Sequence, residues 1–158
     1  MSSFLYSTKS AKTESYPIPE ELNAADVLNI LHNHTLLAGT FWPRPESEAV
    51  QQKHTSDSTT DFVISSSAGS ARATMTTTTD GVFYEEDMPL GHKMTIYYKV
   101  ADVQDQNWEK DSQASSRPTS SAESRLYLVE ERSVTAPRPL SMLVKVKEGT
   151  IEKTRHLI

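Results

Sequence analysis

The chain has 158 residues and a net charge of −5 at pH 7, which suits one domain around one core and argues against a nucleic-acid footprint, which would need a clustered basic surface. Hydrophobic residues make up 36%, and the deficit is local: Ser and Thr crowd residues 55–60, 65–70, 74–79 and 112–121, while apolar density elsewhere is ordinary. The absence of cysteine excludes disulfides, thiolate metal sites and cysteine nucleophiles.

The N-terminal residues lack an apolar stretch of signal-peptide length, and no window approaches the ~18 consecutive apolar residues of a membrane span. A single domain over residues 1–158 is expected, in the cytoplasm, as a monomer or homodimer. The densest basic stretch is Lys145, Lys147, Lys153 and Arg155, interleaved with Glu148 and Glu152. That pattern reads as a solvated helix face.

In chain order, Phe4-Leu-Tyr-Ser-Thr reads as a short first strand. Tyr16-Pro-Ile-Pro-Glu is a stiff extended connector, because each proline pushes the residue before it out of helical geometry. Asn23-Ala-Ala-Asp26 resembles a capping box and opens a helical segment to about Leu37, with Val27, Ile30, Leu31, His34 and Leu37 on one face. Gly39 is placed to end it, and Phe41-Trp42-Pro43 forms an aromatic exit.

Strands follow. Residues 49–54 make a weak one, 61–66 a clearer one, and 71–79 another, rich in β-branched Thr. Asp80-Gly81 is a strong hairpin signal, with Val82-Phe-Tyr-Glu as the return strand. Met88-Pro-Leu-Gly-His is a turn. In residues 93–100, Met94, Ile96, Tyr98 and Val100 share one face. Residues 102–123, polar apart from Trp108, read as a long mobile excursion (its Ser-rich part at 104–122) between neighbouring strands. Residues 125–134 form the last strand. Pro139 then leads into a long final helix over residues 140–158, with a stripe of Leu140, Leu143, Val144, Thr150, Ile151, Thr154 and Ile158 expected to be buried.

Three groups of residues could carry chemistry. His32-Asn-His34 resembles a metal pair, but on a helix those side chains point about 200° apart. No acid follows in residues 35–42, so no metal site is expected. His34, between Leu31 and Leu37, reads either as a satisfied core histidine or as a general acid or base projecting into a cavity. The second group is Tyr84, Glu85, Glu86, Asp87 and His92 around the Met88–Gly91 turn, with His92 the better acid/base candidate. The third is Glu130, which shares a strand face with Leu126 and Leu128. Either Glu130 or its neighbour Glu131 must face inward, and an inward carboxylate needs a partner such as Arg72, Arg125 or Arg132. There is no Gly-x-Ser-x-Gly, phosphate loop or dinucleotide fingerprint, and no cofactor is expected.

The order strand, helix, antiparallel strands, long helix is similar to the START-like (SRPBCC, helix-grip) superfamily. Ile18-Pro-Glu-Glu-Leu, Leu31-His-Asn-His34, Leu126-Tyr-Leu-Val-Glu-Glu and the closing segment 140–158 resemble a group of uncharacterised fungal proteins within it. The resemblance implies an α+β fold in which a curved antiparallel sheet holds the final helix over its concave face, enclosing a cavity for an apolar small molecule. The expected lining is Phe41 or Trp42, Tyr84, Tyr98, and Met142 or Val146, with His34, His92 and Glu130 as polar or catalytic groups. The implied functions are a cofactor-free cyclase, dehydratase, isomerase or pericyclase of natural-product biosynthesis, a non-catalytic carrier of lipids or metabolites, or an interaction module working through its Ser-rich loop.

Overall fold

A computed structural model describes residues 6–42, 49–66, 69–102, 125–137 and 151–158. The fold is α+β, built on one seven-stranded sheet. The strands are β1 (Tyr6–Pro17), β2 (Ala49–His54), β3 (Thr59–Ser66), β4 (Gly69–Thr77), β5 (Gly81–Met88), β6 (His92–Asp102) and β7 (Leu126–Pro137). Their order across the sheet is β1-β7-β6-β5-β4-β3-β2, and every pair is antiparallel. Two helices, α1 (Ala24–His32) and α2 (His34–Phe41), lie in sequence between β1 and β2, and α3 (Glu152–Leu157) follows β7. No described helix is long and apolar enough to cross a membrane.

Alternation sets the inner face. Val82 and Tyr84 of β5, Ile96 and Tyr98 of β6, Ala73 and Met75 of β4, Phe62 of β3 and Leu128 of β7 are buried there, joined by Leu31, Leu37 and Phe41 from the helices. Strand register aligns these side chains in cross-strand rows. One row runs Thr60, Met75, Tyr84, Ile96, Arg132, and the next runs Val82, Tyr98, Glu130. Such neighbours are the units through which sheets gain packing energy.

The helical segment expected over residues 23–37 is two helices. The capping box is present: the Asn23 side chain accepts from the Asp26 N–H, and the Asp26 carboxylate accepts from the Asn23 N–H. Asn33 breaks the run. Its N–H donates to the Ile30 carbonyl, closing α1, while its side chain accepts from the Leu36 N–H, opening α2. A short amide side chain that can serve as a cap competes with helix continuation. α2 therefore passes through Gly39 and ends at Phe41.

Two further expectations are corrected. The first strand is longer than its apolar start suggested, because backbone pairing with β7 carries β1 to Pro17 across a register shift between Ser10 and Thr13. The final helix is not continuous over 140–158. Ile151 has extended backbone (φ −81°, ψ 163°), and the helix begins only at Glu152. Ile158, expected in the buried stripe, is 65% exposed, whereas Thr154 is fully buried. Residues 138–150, with Met142, Val146 and Gly149, lie outside the described residues, as does the 104–122 loop.

Candidate functional site

The inner face holds a polar centre where an apolar core would be the default. Glu130 is 0% exposed and Arg132, two residues on along the same face of β7, is 4% exposed. Their Oε1 and Nε lie 2.6 Å apart. This is an ion pair by distance, with the Nε–H off the line to the oxygen. Arg132 also lies 3.9 Å from Glu14 on β1.

The other Glu130 oxygen accepts a hydrogen bond from the Thr154 hydroxyl of α3. A threonine hydroxyl has one hydrogen. With that hydrogen given to Glu130, the Tyr98 hydroxyl, 2.9 Å from Thr154 Oγ1, donates to Thr154. Tyr16 of β1 adds a further side-chain hydrogen bond to Glu130. The result is a line, Tyr98 to Thr154 to Glu130, with Arg132 and Tyr16 alongside.

Burial pushes the Glu130 carboxyl above its ordinary range, against the opposing effects of the Thr154 hydrogen bond and the Arg132 charge. Desolvation of the charged form outweighs the partners. Tyr98 is likewise raised, first by burial, and stays a neutral donor. Glu131, the adjacent acid, is on the opposite face and pairs with Lys99 at 2.6 Å.

A second polar group stands beside the first. The Tyr84 hydroxyl donates to Glu86 Oε2 at 2.5 Å, and Lys153 of α3 reaches the same oxygen at 3.1 Å while lying over the Tyr84 ring. Burial and the Glu86 charge raise the Tyr84 hydroxyl far above its ordinary range. Adjacent residues of α3 thus supply one contact to each group: Thr154 to Glu130 and Lys153 to Glu86. Lys153 belonged to the stretch read as a solvated face, but its side chain is mostly covered.

Four of the aromatic side chains expected to line a cavity pack against one another. Phe41 lies 5.6 Å from Tyr84 and 5.8 Å from Tyr98 by ring centroids, and Trp42 lies 6.1 Å from Tyr84. Phe62, which the sequence pattern did not single out, joins them 5.6 Å from Trp42. These rings pack on one another, and their edge and tilted contacts fill the space between α2 and the sheet.

His34 lies apart from this centre. It is buried, and both ring nitrogens have partners: Nδ1 meets Thr60 Oγ1 at 2.8 Å, and Nε2 meets Thr77 Oγ1 at 3.0 Å. Thr60 continues to His54 at 3.1 Å. Burial, then the nearby His32 and His54, holds His34 below the ordinary imidazole range. His92 begins β6 at the far end of the sheet, half-buried, with no hydrogen-bond partner for its Nε2. The structure therefore does not bring the three acid/base candidates together; Glu130 alone sits in the polar centre. No group of three or more His, Asp or Glu side chains among the described residues could hold a metal ion.

Concavities are present among the described residues. An open one of about 560 Å³ is lined by Ile64, Gly69, Ser70, Ala71, Arg72, Asp87, Met88 and Pro89. A narrower one of about 190 Å³ lies between the end of β1, α1 and α3.

Of the residues that sequence reasoning passed over, Tyr16 was hidden in the proline-flanked connector and Lys153 in a charge run. Thr154 had a usable signal, since it fell on the stripe expected to be buried. Comparison with family models, curated proteins and solved structures finds no match to this chain.

Proposed function

We propose that this chain is a cytoplasmic small-molecule pocket protein of the helix-grip type, acting as a cofactor-free cyclase, dehydratase, isomerase or pericyclase on an apolar polyketide- or terpenoid-like compound. The observation that carries the reading is the buried line Tyr98–Thr154–Glu130 on the inner face. A carboxyl raised by burial holds its proton to higher pH than an ordinary carboxyl and is suited to act as an acid or base, and neutral tyrosines are suited to donate to a carbonyl or enolate oxygen. Reactions of this class need a shaped site and one or two such groups, and gain much of their rate from holding a reactive conformer.

The helix-grip assignment draws on the strand order 1-7-6-5-4-3-2, on two helices between the first two strands, and on α3 meeting the inner face through Thr154. A second reading is a non-catalytic carrier. It is favoured by the way the polar groups are used: Glu130, Thr154 and Tyr98 satisfy one another, and Tyr84 and Glu86 do the same.

One experiment separates the two. Neutral polycyclic phenols and terpenoid alcohols are titrated calorimetrically, and each binder is assayed for product by mass spectrometry, with wild type and a folded Glu130→Gln variant. The enzyme reading expects binding by both proteins and a loss of turnover in the variant of about 100-fold or more, the usual scale of a lost acid/base group. Binding without product in the wild type makes the chain a carrier. Absence of binding across the set removes both readings.

A further inference from the structure

The narrower cleft adjoins the acid/base line at Tyr16, which lines it and also reaches Glu130, but its walls have their own character. Its floor is made of Val27, Leu31 and Leu128, all buried, and its rim of Leu22, Ile30 and Ile158, which are 38%, 36% and 65% exposed. These three account for half of the large hydrophobic side chains that stand exposed among the described residues, the others being Leu36, Met88 and Leu90. No side chain lining the cleft is charged, and Tyr16 is the single one with a polar group.

We propose that this cleft is a binding site for a neutral apolar molecule of one or two rings. Volume sets the size. An apolar cavity of about 150 Å³ in another protein stays dry and takes benzene, so the 190 Å³ here suits a ligand somewhat larger. The wall sets the charge: an ion would be desolvated there with no partner. Scale favours a small ligand over a protein partner, because a stable interface buries on the order of 1,200 Å² or more and this cleft with its three rim side chains is small beside that. The rim gives entry, since Leu22, Ile30 and Ile158 leave the mouth open to water. The site shares Tyr16 with the Glu130 centre, but it is argued from its apolar lining and not from the reading of Glu130.

The test uses the full chain with ¹³C-labelled Leu and Ile methyl groups, titrated with toluene and, separately, with benzoate. Toluene is expected to shift the methyl signals of Leu31, Leu128 and Leu157 saturably, and benzoate to bind about tenfold more weakly or worse. Ile30→Trp, made at the rim, is expected to plug the cleft and abolish the toluene shifts while leaving the melting temperature near that of the wild type. If that variant does not fold, Leu22→Trp, made before α1, repeats the test from the other side of the mouth. The proposal is overturned if the cleft methyls stay unmoved up to the solubility limit of toluene, if the plugged variant binds toluene as well as wild type, or if benzoate binds equally well. It is also overturned if the same methyls shift on raising protein concentration alone, which would assign the cleft to a second copy of the chain.

Discussion

Glu130 and His34 are both pushed toward their neutral forms by burial, and the consequences for stability run in opposite directions. Glu130 has its folded pKa raised above the ordinary 4.5. Its contribution is fully present below that value and is lost as pH rises through the higher folded pKa. Glu130→Gln mimics the neutral form, so the variant is expected to gain stability relative to wild type as pH is raised from 4 to 8. Thermal melts at four pH values check this. A variant that loses ground as pH rises would show that Arg132 stabilises the carboxylate by more than burial opposes it. His34 has its folded pKa lowered below 6.5. Its contribution is present above about pH 6.5 and is lost as pH falls through the folded value, because the unfolded chain takes up the proton more readily. Replacing His34 with Gln should lower stability at pH 8 by about 1–3 kcal/mol through the lost Thr60 and Thr77 bonds, and should flatten the acid-side loss. Urea unfolding of the two proteins between pH 5 and 8 measures both effects. An unchanged acid slope in the variant would assign that slope to another group.

At the scale of elements, the β5–β6 contact and the α3 contact show how local chemistry fixes assembly. The Asp80-Gly81 hairpin was legible from sequence, but the glycine is needed for a reason that turn statistics do not give. A Cβ on Gly81 would stand 1.8 Å from the Tyr98 carbonyl oxygen and 2.8 Å from the Lys99 Cα, both backbone atoms of β6 that cannot swing aside. Gly81→Ala should therefore cost about 3 kcal/mol or more, at the upper end for overpacking, and denaturant titration would register it. A cost under 1 kcal/mol would mean that the strands part easily at this point. α3 is only six residues long, so its place depends on tertiary contacts more than on helix propensity. Thr154→Val keeps the shape of the side chain but leaves Glu130 and Tyr98 without their shared hydroxyl. The expected loss is about 1–3 kcal/mol, with most of it restored in Thr154→Ser. Equal losses in the two variants would point to packing of the threonine methyl group as the cause. The helical boundaries were less legible than the strands. Asn33 looks like an ordinary helix residue until its side chain caps α2, and Ile151 looks like part of an apolar stripe until its backbone turns extended. At Asn33 a capping interaction outweighs periodicity.

For the whole molecule, the sheet was readable because its inner face obeys a period of two: alternation alone puts Met94, Ile96, Tyr98 and Val100 on one face of their strand, and Leu126, Leu128 and Glu130 on one face of theirs. Which of Glu130 and Glu131 faces inward was not readable, since a shift of one residue exchanges the two faces, and only pairing with β6 and β1 fixes it. The partners of Glu130 were less readable still, because Tyr16, Thr154 and Arg132 come from both ends of the chain. The same topology orders local stability. β5, β6 and β7 are central, each paired on both sides, and they carry the fully buried Val82, Tyr84, Ile96, Tyr98 and Glu130. β2 is an edge strand paired only with β3, and Gln51, Gln52, Lys53 and His54 are exposed along it. Polar side chains on an edge discourage pairing with other chains, but they add little burial to hold the strand. Amide hydrogen exchange should therefore be slowest in β5–β7, at the free energy of global unfolding. β2 should open locally with a lower free energy and a weak dependence on denaturant. If β2 amides exchange as slowly as those of β6, the edge is held by contacts beyond the β3 ladder, and the sheet opens as a single cooperative unit.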